Sequence, residues 1–493
     1  MSTLGPLRRV VGIETEYGVA TAHVQAGAHA GPPLSAEEAV KEIFRHTPQR
    51  HRSAHHFLTN GARLYVDIGS HPEYAGAECR YLSDVMAQDR AGDAILADML
   101  ATANADLTEA RIHLLKSNSD AYGNTFGCHE NYQISRDREL PVAGFVGFLA
   151  ARQILTGAGL LPYPDAKLGG RNLPAAASPL APMLFSARAP FVKAATSADP
   201  THERAFINTR DEPHADKSKW RRLHVIAGDS AMCEATTAVK VYLADAVLSM
   251  VEDGAWALAE CELTDPTAAA NIWNADPHTP VPRPGRNDIS CIELLTLVLD
   301  RIAAWQEPAD ELSQRAFDLA RRGITALDTG DYAAVATELD WAIKHRVLAH
   351  VAAAAEQGWQ DARVLRAELA FHDIAARTGM VRGLRDAGLM AQWIDDDAIT
   401  AARAHAPAGT RAQVRGAFVQ AVETTGRAAS IGWAHIRLDK PARPQIDLPE
   451  PLVDASAEAD ALIEEIYRLG QAPPSAPPPS PAPVDALPRR VRR

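Results

Sequence analysis

Arg8-Arg-Val-Val-Gly-Ile-Glu-Thr-Glu-Tyr-Gly18 interrupts an apolar, strand-like run with two carboxylates spaced i, i+2. Side chains alternate between the faces of a strand, so Glu14 and Glu16 point one way while Val11, Ile13 and Thr15 point the other. The two glutamate Cα atoms then sit roughly 6–7 Å apart. Carboxylates that close on an otherwise hydrophobic element repel each other and resist burial unless a cation neutralises them. The stretch therefore predicts a strand that carries a divalent-metal site.

The chain around it has 493 residues. Single cores stop growing near ~250–300 residues, so more than one domain is expected. Hydrophobic content of 46% and charged content of 23% place it among soluble globular proteins. No run approaches the ~18 apolar residues of a membrane span, and the N-terminal sequence lacks a signal-peptide layout. A cytoplasmic address is expected, with no membrane partner. Cys79, Cys128, Cys233, Cys261 and Cys291 contain no CxxC pair, which argues against a disulfide framework or a zinc site. The net charge of −12 argues against nucleic acid as a partner, because phosphate backbones need clustered Lys and Arg. A local cleft lined by Arg210, Arg221 and Arg222 could still receive an anion.

Along its length the chain changes character three times. Residues 8 to about 240 mix β-like and helical runs and hold nearly all the unusual polar clusters; from 240 to 405 helical periodicity dominates, with Val247, Met250 and Val251 on one face and further helices over 292–305, 311–327 and 332–356. Together, 1–405 is expected to be a catalytic domain. A small domain over 406–470 follows, with a helix at Arg411–Ala428 and a strand-like Ile431–Leu438. The remainder, 471–493, is a Pro/Ala/Ser tail ending in Arg489-Arg-Val-Arg-Arg493. Its composition supplies no core, so it reads either as a solvated, disordered tail or as a docking segment.

Three more clusters accompany the opening strand. In Asn60-Gly-Ala-Arg-Leu-Tyr-Val-Asp-Ile-Gly-Ser-His-Pro-Glu73-Tyr-Ala-Gly-Ala-Glu78-Cys, alternation puts Arg63, Tyr65 and Asp67 on one face and Leu64, Val66 and Ile68 on the other. Gly69-Ser-His-Pro72 would turn the chain so that Glu73 and Glu78 return to the polar side. An ionised aspartate there can take a proton from an incoming nucleophile; the alternative is a solvent-facing polar strand. In Thr125–Ile134, His129, Asn131 and Gln133 share a side, and His129 is either a metal contact or a satisfied core histidine. The fourth cluster, Ile207-Asn-Thr-Arg210-Asp-Glu212-Pro-His214-Ala-Asp216 with Arg221-Arg-Leu-His224, is costly unless its charges pair or bind something. Arg210 and Arg222 suit phosphate oxygens and His224 suits a metal, with a structural ion-pair network as the rival reading. Carboxylates, histidines and arginines without a P-loop GxxxxGK[ST] suggest ATP bound through Mg²⁺ or Mn²⁺ rather than through a Gly-rich cradle.

These motifs make the chain similar to the family of Pup ligases and Pup deamidases, carboxylate–amine ligases with a glutamine-synthetase-like fold. The matching stretches are Gly12–Gly18, Asn60–Tyr74, Gly127–Tyr132, Asn208–Asp216 and Arg221–Ile226, with weaker echoes at Leu339–Lys344, Leu369–Ile374 and Trp433–Leu438. The resemblance implies an α+β fold in which an antiparallel sheet forms a cradle flanked by helices. It implies activation by ATP of the γ-carboxylate of the C-terminal glutamate of Pup, a small disordered protein. Attack by a target lysine would then give an isopeptide bond through a γ-glutamyl phosphate. Asp67 is the implied base, and Glu14, Glu73 and Tyr65 the implied metal–nucleotide residues. With Glu16, His129 and His224 these form the expected metal set, with Mg²⁺ as the metal. Arg63, Arg210, Arg222, Arg415 and Trp433 are the expected ATP contacts, Trp433 stacking on adenine and Arg415 meeting phosphate. A monomer is expected. The Pup deamidases carry a long insertion between their first two strands. Only 51 positions separate Glu14 from Tyr65 here, so a ligase is expected; a depupylase or a paralogue with another acceptor is the alternative. The chain departs from the family wording at Leu184-Phe-Ser-Ala-Arg188 and over 255–335.

Overall fold

β1 (Pro6–Glu16) lies at the centre of a mainly antiparallel sheet, which explains its apolar run. The structure is a computed structural model. It describes residues 4–25, 27, 31–45, 47, 55–67, 69–120, 123–162, 180, 182–199 and 204–471. The first half of β1 pairs with β6 (Cys79–Tyr81) and its second half with β5 (His71–Ala75), while its other edge pairs with β8 (Cys128–Ser135). A strand paired on both edges and covered on one face must be apolar on that face, and Val11 and Ile13 are buried there.

Nine strands make up this sheet among the described residues. Its order is β3 (His55–Phe57), β4 (Arg63–Asp67), β5, β1, β8, β11 (Trp220–Gly228), β10 (Ala205–Asn208) and β9 (Ala194–Ser197), with β6 on β1. The β9–β10 pair at the edge is parallel; the other pairs are antiparallel. β2 (Gly18–His23) and β7 (Ala110–Leu115) form a separate ribbon. β2 and α1 (Ala36–Phe44) occupy part of the span between Glu14 and Tyr65.

Helices cover one face. α2 (Leu82–Asp106) and α4 (Glu234–Glu252) pack against β1, and α3 (Val142–Leu155) lies over the β10 end. Charged side chains on this face survive by pairing. Arg9 reaches Asp245 of α4 at 2.7 Å and Ser249 at 2.8 Å. Glu130, on the otherwise apolar side of β8, receives a two-pronged contact from Arg152 of α3 at 2.7 and 2.8 Å. The open face keeps the polar residues that alternation assigned to it: His129, Asn131 and Gln133 are half-buried, between buried Cys128, Glu130, Tyr132 and Ile134. Arg63, Tyr65 and Asp67 are likewise half-buried with Leu64 buried between them; Ile68 lies outside the described residues.

The helical region follows with α5 (Pro266–Ala275), a small hairpin of β12 (Val281–Arg283) and β13 (Arg286–Ile289), α6 (Cys291–Trp305), α7 (Glu311–Thr329), α8 (Asp340–Ala353), α9 (Ala362–His372), α10 (Val381–Asp386) and α11 (Asp396–Ala404). The helix expected over 332–356 is split. A 3-10 turn spans Tyr332–Val335, and α8 starts at Asp340, whose carboxylate accepts the amides of Met232 and Cys233 at 2.7 and 3.2 Å. That tie to the start of α4 fixes where α8 begins.

α12 (Ala412–Thr425), a three-stranded sheet of β14 (Ala429–Gly432), β15 (His435–Leu438) and β16 (Ile446–Asp447), and α13 (Ala457–Gln471) complete the described chain. Val414, Phe418, Ile436, Leu438, Leu462 and Ile466 form a core cluster of their own. The strand-like Ile431–Leu438 is a tight hairpin: Gly432 pairs with His435 and leaves Trp433 and Ala434 as the turn. The turn lifts Trp433 out of the sheet. The tail over 472–493 lies outside the described residues. No helix among the described residues is long and apolar enough to cross a membrane.

Candidate active site

Register lines up the open face. Tyr65 stands opposite Glu73, Glu73 opposite Glu16, Glu14 opposite His129, and Asn131 opposite His224. Five strands thus deliver a continuous row of acids and histidines, and the pleat leaves the intervening residues in the core.

The row resolves into two clusters, each with ligand atoms within 4.8 Å of one another: Glu14, His129 and His224, and Glu16, Asp67 and Glu73. In the first, Glu14 accepts from Asn131 at 3.0 Å and lies 3.2 Å from His129 Nδ1 and 3.6 Å from His224 Nε2. Burial pushes its carboxyl up, but the two imidazoles outweigh this and hold it well below the usual range. In the second, Glu16 accepts the Gly127 amide at 2.9 Å and lies 3.3 Å from His71 Nδ1. Burial opposes its ionisation, yet His71, His129, Gly127 and Arg188 hold it at about 2. Gly127 has no side-chain alternative here, since a Cβ would lie 2.5 Å from His129 Nε2 and 3.0 Å from Glu16 Oε1.

Glu73 behaves oppositely. Burial and the charges of Glu14 and Glu16 push its carboxyl well above the ordinary range, although the Tyr65 hydroxyl donates to it. Burial and Glu73 also push the Tyr65 phenol up, so it is a neutral donor that fixes Glu73. An acid that fails to ionise beside two that do marks a place where positive charge is missing. His224 adds a second sign: the residue is 7% exposed, its Nδ1 has no hydrogen-bond partner and its Nε2 has only the 3.6 Å contact with Glu14. The residues therefore fit divalent metal. The oxygens of Glu16 and Glu73 suit Mg²⁺, with Asp67 beside them, and the mixed set of Glu14, His129 and His224 suits a softer ion such as Mn²⁺ as well.

Beside the acids lies a cleft lined among others by Glu14, Asn131, His214, Arg222, Arg411 and Trp433. Arg222 donates to Asn131 at 3.1 Å and stays 3.7 Å from Glu14, so its guanidinium borders both acids and cleft. Trp433 presents its ring to the cleft, backed edge-on by Phe57 at 5.1 Å and by the Arg415 guanidinium at 4.8 Å. Arg63 lies over the Tyr65 ring at 4.5 Å, steadying that strand face.

Three expected nucleotide contacts do not line the cleft: Arg63, which stays over the Tyr65 ring, Arg415 and Arg210. Arg415 is completely buried and its donors are taken by Gly61, Glu78 and the Trp433 carbonyl, because it closes an ion-pair cluster under the cleft. It shapes the Trp433 platform from behind. Arg210 is exposed, bonds the Ala198 carbonyl at 2.9 Å and does not line the cleft. Arg411 takes the position expected of Arg415. It lines the cleft and binds Glu78 at 2.8 Å. The signal for it was present: Arg411 and Arg415 are i, i+4, so both reach one acid. Burial raises the Glu78 carboxyl, and the two arginines hold it at about 2. His214 was also missed as a lining residue. It has a left-handed φ of 49°, and burial with Arg222 and Arg411 pushes it down to about 4.

The divergent Leu184–Arg188 segment is rigidly held. Asp229 accepts the Ala187 and Arg188 amides at 2.7 and 3.0 Å, and the Arg188 guanidinium binds the carbonyls of Phe126 and Ile226. It ends close under the Glu16–Gly127 contact.

A family model described as Pup-ligase protein matches residues 9–437. A Pup–protein ligase of Brachybacterium faecium is 40% identical over 481 residues, covering 96% of this chain and 99% of the relative. One from Mycolicibacterium smegmatis is 36% identical over 468 residues, covering 92% and 99%. The fold is similar to a crystal structure of the complex between Pup and its ligase PafA, with a TM-score of 0.83 at 31% identity, covering 94% of this chain and 92% of that one. It is also similar to PafA in complex with ADP, with a TM-score of 0.78 at 32% identity, covering 90% and 96%.

Proposed function

The chain belongs to the Pup-ligase family, and from that premise we propose that its polar sheet face joins Pup to target proteins through a γ-glutamyl phosphate. The activity is ATP-dependent ligation of Pup to lysine-bearing targets. The observation that carries the reading is the adjacency of the two acid–histidine clusters to a cleft walled by Arg222 and Trp433.

In the first step a γ-carboxylate oxygen of the terminal glutamate of Pup attacks the γ-phosphorus of ATP, giving the acyl phosphate and ADP. Trp433 offers the adenine a flat apolar surface, and Arg222 meets phosphate oxygens with a planar, doubly donating group. Mg²⁺ held by Glu16 and Glu73, with a second ion at Glu14, His129 and His224, would neutralise phosphate charge. Tyr65 keeps Glu73 in position for this through its hydroxyl.

In the second step a lysine ε-amine attacks the activated carbonyl carbon, phosphate leaves, and an isopeptide bond remains. That amine is protonated near neutral pH (reference pKa ≈ 10.4) and must lose a proton before it is a nucleophile. Asp67, half-buried at the end of β4 and next to Glu16 and Glu73, is the acceptor. Its neighbours are already committed, Glu16 to Gly127 and Glu73 to Tyr65.

Two parallel incubations separate this reading from hydrolysis on the same scaffold. One holds the protein with Mg-ATP, glutamate-terminated Pup and a lysine-bearing target; the other holds a preformed Pup conjugate instead. A higher-mass adduct in the first is the expected result. Cleavage in the second with no adduct in the first overturns the ligase assignment.

A further inference from the structure

On the helix-covered side of the sheet, α2, α7 and the start of α11 line a second, open-mouthed cavity of about 560 Å³. Two polar atoms of residues that line it have no partner, Asp84 Oδ2 and Trp393 Nε1. Both residues are buried, at 5% and 8% exposure. Unmet buried groups of this kind are uncommon and ask for an explanation. The two orphans need opposite things: the carboxylate a donor, the indole N–H an acceptor.

The rim narrows the choice of ligand. Among the described lining residues Glu311, Asp395 and Asp397 are exposed, against one cation, Arg315, whose guanidinium lies over the Trp393 ring at 4.2 Å, while the N-terminal amine acts on Asp84 through its charge. An anion would meet four carboxylates. A bare metal ion would serve Asp84 and leave the indole unmet. A basic peptide satisfies everything at once, its guanidinium groups facing the acids and a main-chain carbonyl accepting from Trp393.

This chain carries such a peptide. Arg489-Arg-Val-Arg-Arg493 lies beyond the described residues, 18 positions after Gln471 at the end of α13. Eighteen extended residues reach roughly 60 Å, against a radius of gyration of about 23 Å for a compact chain of this length. The reach is ample. We propose that the Asp84/Trp393 cavity is a docking site for the arginine-rich C-terminus of the same chain.

A tethered segment acts at an effective concentration of roughly millimolar, so it keeps a micromolar site filled. The test titrates a synthetic peptide of residues 486–493 calorimetrically into the full-length protein and into a full-length variant with Arg489, Arg490, Arg492 and Arg493 all replaced by Ser. The freed site of the serine variant is expected to bind the peptide, and the parent at least about tenfold more weakly because its own tail competes. In the serine background, Asp84→Asn and Trp393→Phe should each weaken binding about tenfold. Asp84→Asn is isosteric and Trp393→Phe keeps an aromatic ring beneath Arg315, so the fold should hold. No binding to the serine variant, or equal binding to parent and variant, overturns the proposal. So does binding that ignores both substitutions, which would reduce it to diffuse attraction by an acidic protein.

Discussion

Asp67→Asn is expected to lower conjugate formation by about 10²–10⁴-fold, the range for loss of a positioned general base. The substitution keeps shape and polarity but removes the proton acceptor. Asp67 sits where β4 turns towards β5, directly opposite His71, and belongs to the same oxygen cluster as Glu16 and Glu73. Because the Trp433 and Arg222 walls of the cleft are untouched, nucleotide affinity should change only a few-fold. Measuring ATP binding and turnover on the same preparation separates the roles. Loss of both in parallel would assign Asp67 to the metal instead.

Glu14→Gln is expected to act differently. Glu14 is the hub of its cluster, contacting Asn131, His129, His224 and Arg222 within 3.7 Å. Altering groups that merely support a metal ligand costs about 10–100-fold in affinity or activity, so losing this charge should cost at least the upper end. Nucleotide affinity should fall with it. Stability of the metal-free protein should fall too: the imidazoles hold the Glu14 carboxyl well below its usual range, so its charge is stabilised in the fold, and relief of the push on Glu73 offsets only part of the loss. The metal-free variant should melt below the parent. Unchanged turnover with a lowered melting temperature would show Glu14 to be a structural residue.

Much of the site was legible because strand periodicity is a strict rule. Once β1, β4 and β8 were recognised, alternation alone put Glu14, Glu16, Tyr65, Asp67 and His129 on one face, where the structure has them. Cross-strand order was not legible. Nothing local in the sequence says that β8 pairs with β1 or that β11 follows, yet those pairings bring His224 to Glu14. Arginine roles failed for a related reason. Arg411 and Arg415 share a helix face and an acid, and which of them meets the cleft depends on how α12 packs beneath Trp433. The Ile431–Leu438 stretch misled because a strand-like composition does not distinguish one strand from a two-residue hairpin. The break before α8 is likewise set by a contact from Asp340 to residues more than a hundred positions away.

The most direct measurement of the two-step account is hydroxylamine trapping. Protein, Mg-ATP and glutamate-terminated Pup are incubated with hydroxylamine and no protein target, and the Pup C-terminus is read by mass spectrometry. Hydroxylamine is a nucleophile without prior deprotonation, so it needs the acyl phosphate but not the base. The parent and Asp67→Asn should both yield the C-terminal hydroxamate, and Glu14→Gln little or none. If the parent yields none while still consuming ATP, no activated carboxylate forms and the account is wrong.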